Sequence, residues 1–191
     1  TTVNSLYSTE DLIHQFTDSK AKYLLTIPAF LDRALPAAKA CGIEEIFILG
    51  EAPEGTTPFV DLLANEGNAP SVEIDPQKDL VALPYSSGTT GLSKGVMLTH
   101  ANLIANMVIS AELNTTDDTD CTVGVLPFFH IYGMVLILNL AIYRGTKLVT
   151  MPRFDLEQFL QIVQEHKVTV LSLVPPIIIA LAKHPIVDNY D

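Results

Sequence analysis

Apolar positions along the chain alternate between a spacing near 3.6 and short unbroken runs, and the points of change lay out its elements. Ser8-Thr9-Glu10-Asp11 predicts a helix start with acids in the first turn, and Leu12, Ile13 and Phe16 give that helix one apolar face. Residues 23–27 read as a strand. Leu31, Ala34, Leu35, Ala38 and Cys41 then recur at helical spacing, and Gly42 is a natural stop. A strand over 45–49 ends at Gly50. From Glu51 to Lys78 the chain is rich in Pro, Gly and acids, a surface excursion with one helical patch over 59–64. Residues 80–85 predict a buried strand, and Thr99 is placed to cap a helix whose core face is Leu103, Ile104, Met107, Val108 and Ala111. A polar loop over 114–120 leads to a strand over 122–126, then to an apolar helix over 134–143 stopped at Gly145 and a strand over 147–151. Asp155 and Gln158 frame a capping box for a helix that turns Leu156, Phe159, Leu160 and Val163 inward. A strand over 168–174 and a helix over 176–183 complete the pattern. Short strands alternating with helices predict an α/β fold, doubly wound, with a mainly parallel sheet flanked by helices. No internal repeat is present, and residues 1–191 are expected to form a single structural unit.

Composition adds exclusions. With 48% hydrophobic and 17% charged residues the chain can bury a sizeable core. Its net charge of −11, with no Lys/Arg cluster, argues against a nucleic-acid partner. The longest apolar runs, 134–138 and 170–182, fall short of the roughly 20 residues of a membrane span, and Pro175-Pro176 breaks the second. Cys41 and Cys121 fit no metal-ligand spacing and read as buried reduced thiols of an intracellular protein. No basic-then-apolar leader pattern opens the chain. With no initiator Met and no C-terminal tail, it reads as a piece excised from something longer.

The chemistry concentrates in Tyr85-Ser86-Ser87-Gly88-Thr89-Thr90-Gly91-Leu92-Ser93-Lys94-Gly95. Glycines let a backbone turn tightly and approach a ligand, and the hydroxyls of Ser86, Ser87, Thr89 and Thr90 add donors. Between Val81 and Ala111, Lys94 is the one residue fully charged at neutral pH, so the loop is locally cationic within an acidic protein. A strand–loop–helix arrangement of this kind predicts a phosphate cradle. It is not the Walker loop, Gly-x-x-x-x-Gly-Lys-Ser/Thr. Counted from Gly88, the second glycine should stand where Ser93 is, and a hydroxyl residue where Gly95 is.

Ser86 to Gly95, with the continuation Val96-Met97-Leu98-Thr99-His100-Ala101-Asn102, resembles the signature of the adenylate-forming (AMP-binding) enzyme superfamily. Leu126-Pro127-Phe128-Phe129-His130-Ile131-Tyr132-Gly133 and the segment from Val174-Pro175-Pro176-Ile177 are similar to its 4-coumarate–CoA ligase and firefly luciferase-like branch. One departure is Ser93, where the family usually has Pro; without the ring φ is free, which should loosen the loop. Downstream family motifs for adenine, ribose and a catalytic Lys on a C-terminal domain do not occur, so an internal fragment of the large domain is expected.

The resemblance implies that a carboxylate attacks the α-phosphorus of ATP in the presence of Mg²⁺, and that a thiol, that of coenzyme A, then displaces AMP. It implies that Ser86, Ser87, Gly88, Thr89, Thr90, Gly91 and Lys94 hold the β- and γ-phosphates. His130 alone reads as a core or turn residue; by resemblance it lies near the carboxylate and adenylate. Tyr132 alone reads as packing; by resemblance it lines the acyl pocket. Arg153 is either a solvated charge or a contact to coenzyme A. His14, His100, His166 and His184 show no convergent partners, and Asp117, Asp118 and Asp120 lack the Gly and distal Glu of a calcium loop, so no metal site is expected. Three outcomes stay open: an acid–CoA ligase, an acyl-adenylate enzyme with another acceptor, and a non-catalytic nucleotide-binding piece. The expected compartment is cytoplasmic or peroxisomal.

Overall fold

The computed structural model describes residues 1–64, 67, 70–86, 92–113 and 116–191. Where one structural unit was expected from sequence, contacts gather into two compact units, Thr1–Leu98 and Thr99–Asp191. The α/β class with mainly parallel pairing holds in both.

In the first unit, helix α1 (Thr9–Ser19) starts where the sequence places it. The Ser8 hydroxyl accepts from the Asp11 N–H, and the Asp11 carboxylate accepts from the Ser8 N–H, a reciprocal capping box. Strand β1 (Tyr23–Thr26) and a 3₁₀ turn (Pro28–Phe30) lead into helix α2 (Leu31–Cys41). Gly42 ends α2 at φ 68°, and the Ile43 N–H returns to the Ala38 carbonyl, a left-handed closure that suits glycine. The helix carries Pro36 in its interior, on the exposed side. Phe16, Leu12 and Ala37 form the buried centre between α1 and α2. Strand β2 (Glu45–Ile48) pairs in parallel with β1 and with β3 (Thr57–Pro58), giving the order β1-β2-β3. The short helix α3 (Val60–Leu63) follows.

The buried strand expected over 80–85 is two pieces, β4 (Leu80–Ala82) and β5 (Tyr85–Ser86). Pro84 separates them because it has no N–H for a ladder, and Leu80 and Val81 stay about half exposed. Strand β5 pairs antiparallel with β6 (Lys94–Gly95), and β7 (Leu98–Thr99) reaches the unit boundary.

In the second unit, Thr99 and Asn102 exchange side-chain-to-backbone hydrogen bonds at the start of helix α4 (His100–Leu113). The expected core face holds in part: Ala111 is buried and Leu103 and Met107 are half-buried, but Ile104 and Val108 are exposed, and Ser110, outside that face, is buried. A helix apolar on nearly every side offers no stripe from which to choose a face. Strand β8 (Cys121–Gly124) pairs in parallel with β9 (Lys147–Thr150). Between them the chain runs as a π-helical segment (Gly133–Asn139) continuing into helix α5 (Leu140–Arg144), closed by Gly145 at φ 74°. Helix α6 (Leu156–His166) starts at Asp155, whose carboxylate accepts from the Gln158 N–H; Phe159 and Leu160 are buried. The strand expected over 168–174 is a single parallel bridge, Val170 to Thr122. The Thr169 hydroxyl takes the Cys121 N–H that a ladder carbonyl would otherwise accept. Helix α7 (Pro175–Lys183) and a 3₁₀ turn (Pro185–Asn189) close the unit around Val123, Met151, Phe159 and Ile177.

Candidate functional site

The phosphate-loop candidate lies in the first unit. Ser87, Gly88, Thr89, Thr90 and Gly91 fall outside the described residues, but the two strands that carry them are defined. In register, Tyr85 faces Gly95 and Ser86 faces Lys94, and the Val96 N–H extends the ladder to the Pro84 carbonyl. The expected strand–loop–helix is therefore corrected to a β-hairpin, with the next helix starting only at His100. Two-residue strands give too weak a sequence signal to reveal this return. Gly95 is closely packed: a Cβ there would lie 3.2 Å from both Leu83 Cδ1 and Tyr85 Cζ, so those side chains would have to shift to admit one.

Register places Lys94 opposite Ser86, at the mouth of the loop. The Lys94 side chain is exposed, and the ion pairs among the described residues, Lys22–Glu44 and Lys78–Asp75, leave it uncommitted. An ammonium without a carboxylate partner is available to an anionic ligand. Helix α1 contributes two side chains that sequence spacing did not single out. His14 Nε2 donates to the Ser93 carbonyl at 2.8 Å, and the Tyr85 hydroxyl donates to Asp18 Oδ2 at 2.5 Å. Burial, then the Asp18 hydrogen bond and charge, raise the Tyr85 pKa well above its ordinary value, so the phenol remains a donor at physiological pH.

The second group of candidates lies in the other unit. Strand β8 runs into Pro127-Phe128-Phe129-His130, a turn in which the His130 N–H bonds the Pro127 carbonyl and the Met134 N–H bonds the His130 carbonyl. The Tyr132 N–H donates to His130 Nδ1 at 3.2 Å. In the neutral imidazole this puts the proton on Nε2, leaving that nitrogen as a donor. His130 is exposed. Gly133 makes the turn possible, because a Cβ there would lie 2.8 Å from the Pro127 carbonyl carbon and 2.9 Å from the Leu126 oxygen. Gly124 is similarly confined, with Phe128 Cζ 2.7 Å from where its Cβ would be.

Tyr132 caps the π-helical segment and lines a cavity of about 90 Å³ with Leu136, Ile137, Thr122, Thr146 and Ser172. That volume is well below the roughly 300–1,000 Å³ of typical small-molecule pockets. π-Helical turns recur at functional sites. Arg153 is exposed in a bend before α6. Thus the structure brings Ser86 together with Lys94, and His130 with Tyr132.

Asp117 and Asp120 are occupied locally. Asp117 accepts from the Thr119 hydroxyl and N–H, which hold its carboxyl below the usual range, while Asp120 accepts from the Asp117 N–H and the Thr169 hydroxyl. No group of three His, Cys, Asp or Glu side chains among the described residues is disposed to hold a metal ion. Likewise, no helix among them is long and apolar enough to cross a membrane.

The strands flanking the hydroxyl- and glycine-rich run pair as a hairpin in an α/β chain with parallel strands, and among the described residues no carboxylate pairs with Lys94. The chain belongs to the AMP-binding enzyme family, whose pattern matches residues 1–191. It is 39% identical to 4-coumarate–CoA ligase 1 of Solanum tuberosum, over 100% of this chain and 36% of that protein. To 4-coumarate–CoA ligase 2 of Petroselinum crispum it is 37% identical, with the same coverage. The chain thus spans little more than a third of the length of the curated relatives it matches. Among solved structures it resembles a red-emitting luciferase from Phrixothrix hirtus, with TM-score 0.87, 25% identity, and coverage of 100% of this chain and 38% of that one. It also resembles a long-chain-fatty-acid–CoA ligase from Archaeoglobus fulgidus, with TM-score 0.83, 29% identity, and coverage of 94% and 36%. ATP-bound MatB from Rhodopseudomonas palustris matches with TM-score 0.80 and 28% identity, over 96% of this chain and 35% of that one.

Proposed function

We propose that the full-length protein activates a carboxylic acid with ATP to an acyl-adenylate and passes the acyl group to the thiol of coenzyme A. The observation that carries this reading is the hairpin of β5 and β6, with Lys94 unpaired by any carboxylate among the described residues, in a chain of the AMP-binding family. In the first step a carboxylate oxygen bonds to the α-phosphorus, the bond to the bridging oxygen breaks, and pyrophosphate leaves with the electron pair. Negative charge grows on the leaving phosphates, so preorganised donors there lower the barrier. Lys94 and the hydroxyl and amide groups of Ser86, Ser87, Gly88, Thr89, Thr90 and Gly91 supply them. Mg²⁺ enters with ATP as part of the substrate. In the second step the sulfur attacks the acyl carbon, AMP leaves, and the thiol proton passes to solvent.

His130, with Nδ1 engaged by Tyr132, presents an Nε2–H donor suited to a carboxylate or adenylate oxygen. Tyr132 sits at the acyl end, Arg153 meets a phosphate of coenzyme A, and the compartment is cytoplasmic or peroxisomal. Tyr132→Ala is expected to change the order of preference among acids of different length; an unaltered order removes that role.

An ATP–pyrophosphate exchange screen of the full-length protein over aromatic and fatty acids tests the reading, and no exchange with any acid overturns it. Exchange without a coenzyme A thioester would favour another acceptor, the reading to which the luciferase likeness belongs. The 191-residue chain by itself is expected to show no turnover.

A further inference from the structure

We infer that helix α1 is the positioning element of the phosphate loop, with His14 and Asp18 fastening the two strands of its hairpin. This rests on the reading of that loop as a phosphate site. His14 and Asp18 are one turn apart and share a face of α1. From that face His14 Nε2 reaches the carbonyl of Ser93, just before β6, and Asp18 takes the hydroxyl of Tyr85 on β5. A carbonyl oxygen only accepts, so Nε2 carries a proton in this contact. The two rings also meet edge to face, His14 on Tyr85, with centroids 6.4 Å apart and planes at 87°. Between them in sequence, Gln15 is fully buried and donates to the Thr1 hydroxyl and the Thr2 carbonyl; the Thr1 hydroxyl in turn donates to the Leu83 carbonyl, two residues before β5.

The hairpin has reason to depend on such ties. Its ladder pairs two residues from each strand, and an isolated hairpin of that size is marginal in water. Ser93 has no ring to fix its φ, and the bond from His14 holds its peptide instead. The helix is itself anchored, by the capping box at Ser8 and Asp11 and by Phe16 and Leu12 in the α1–α2 core. Fixing both strands to one rigid helix presets the spacing between the two ends of the run, which favours binding through preorganisation.

Titrating the full-length protein with MgATP and, separately, with AMP tests this, because AMP lacks the phosphates that the loop receives. His14→Ala is expected to weaken MgATP about fivefold, the ratio one ordinary hydrogen bond supports, and to leave AMP within about twofold. His14→Gln, whose amide can donate to the same carbonyl, restores the affinity. Tyr85→Phe, which keeps the ring and loses only the hydroxyl, gives the same split and serves if His14→Ala does not fold. Equal loss of AMP and MgATP affinity would show a merely structural role and overturn the inference, as would a His14→Gln protein as weak as His14→Ala. Lys94→Ala separates the two readings. If it leaves MgATP affinity unchanged, the loop is not a phosphate site; if it weakens MgATP while His14→Ala and Tyr85→Phe do not, the inference alone fails.

Discussion

Single atoms decide most of the chemistry available to this chain. Lys94 matters because it is exposed and no carboxylate among the described residues claims it. In the full-length protein, Lys94→Ala should slow pyrophosphate exchange by more than about tenfold, the loss expected for one good charge contact in the transition state. Unchanged exchange would remove Lys94 from the site. Gly133 matters for the opposite reason: it has no atom to spare. With its Cβ position against the Pro127 carbonyl, Gly133→Ala should lower stability by at least about 1–3 kcal/mol, as overpacking does, measured as a fall in the urea midpoint at constant m-value. The turn that holds His130 should move with it, so the His130 imidazole resonances shift in the same variant.

Helix ends show how local rules become stability. The Asp11 carboxyl lies below its ordinary value of 3.8, chiefly because the Ser8 backbone and then the Ser8 hydroxyl hydrogen-bond it. A lowered folded-state value means that its contribution is present above pH 3.8 and is lost as pH falls through the folded value. The acid limb of the stability–pH curve should therefore be shallower in Asp11→Asn, read by denaturant unfolding between pH 5 and pH 2. Capping at Ser8, Thr99 and Asp155, and stops at Gly42 and Gly145, were legible in sequence because each is a bond or a φ value set within four residues. Strands were less so. The expected strand over 168–174 yields to the Thr169 side chain, which serves both Cys121 and Asp120. Such a bond, across nearly fifty positions, leaves no mark in local spacing.

The two units have separate buried centres, Leu12, Phe16 and Ala37 in one, and Val123, Val125, Met151, Phe159, Leu160 and Ile177 in the other. Phe159 is 1% exposed, so Phe159→Ala should cost about 3–5 kcal/mol in the unit that holds it. Amide exchange should accelerate in β8, β9 and α6 while α1 and α2 keep their protection; uniform acceleration would mean that the units unfold together.

The sequence by itself determined the class, the caps and the residue types of the loop, because periodicity, capping and composition are local properties. It also carried the family resemblance, since the two motifs are contiguous runs of residues. Tertiary structure decided what those runs are tied to. It decided that the loop sits on a hairpin, that α4 shows Ile104 and Val108 to solvent, and that His14, without a visible partner in sequence, meets Ser93. The physical reason is the same in each case. Pairing, burial and hydrogen bonding between positions distant in sequence are properties of the folded chain, where the neighbours of a side chain are set by packing rather than by its place in the sequence.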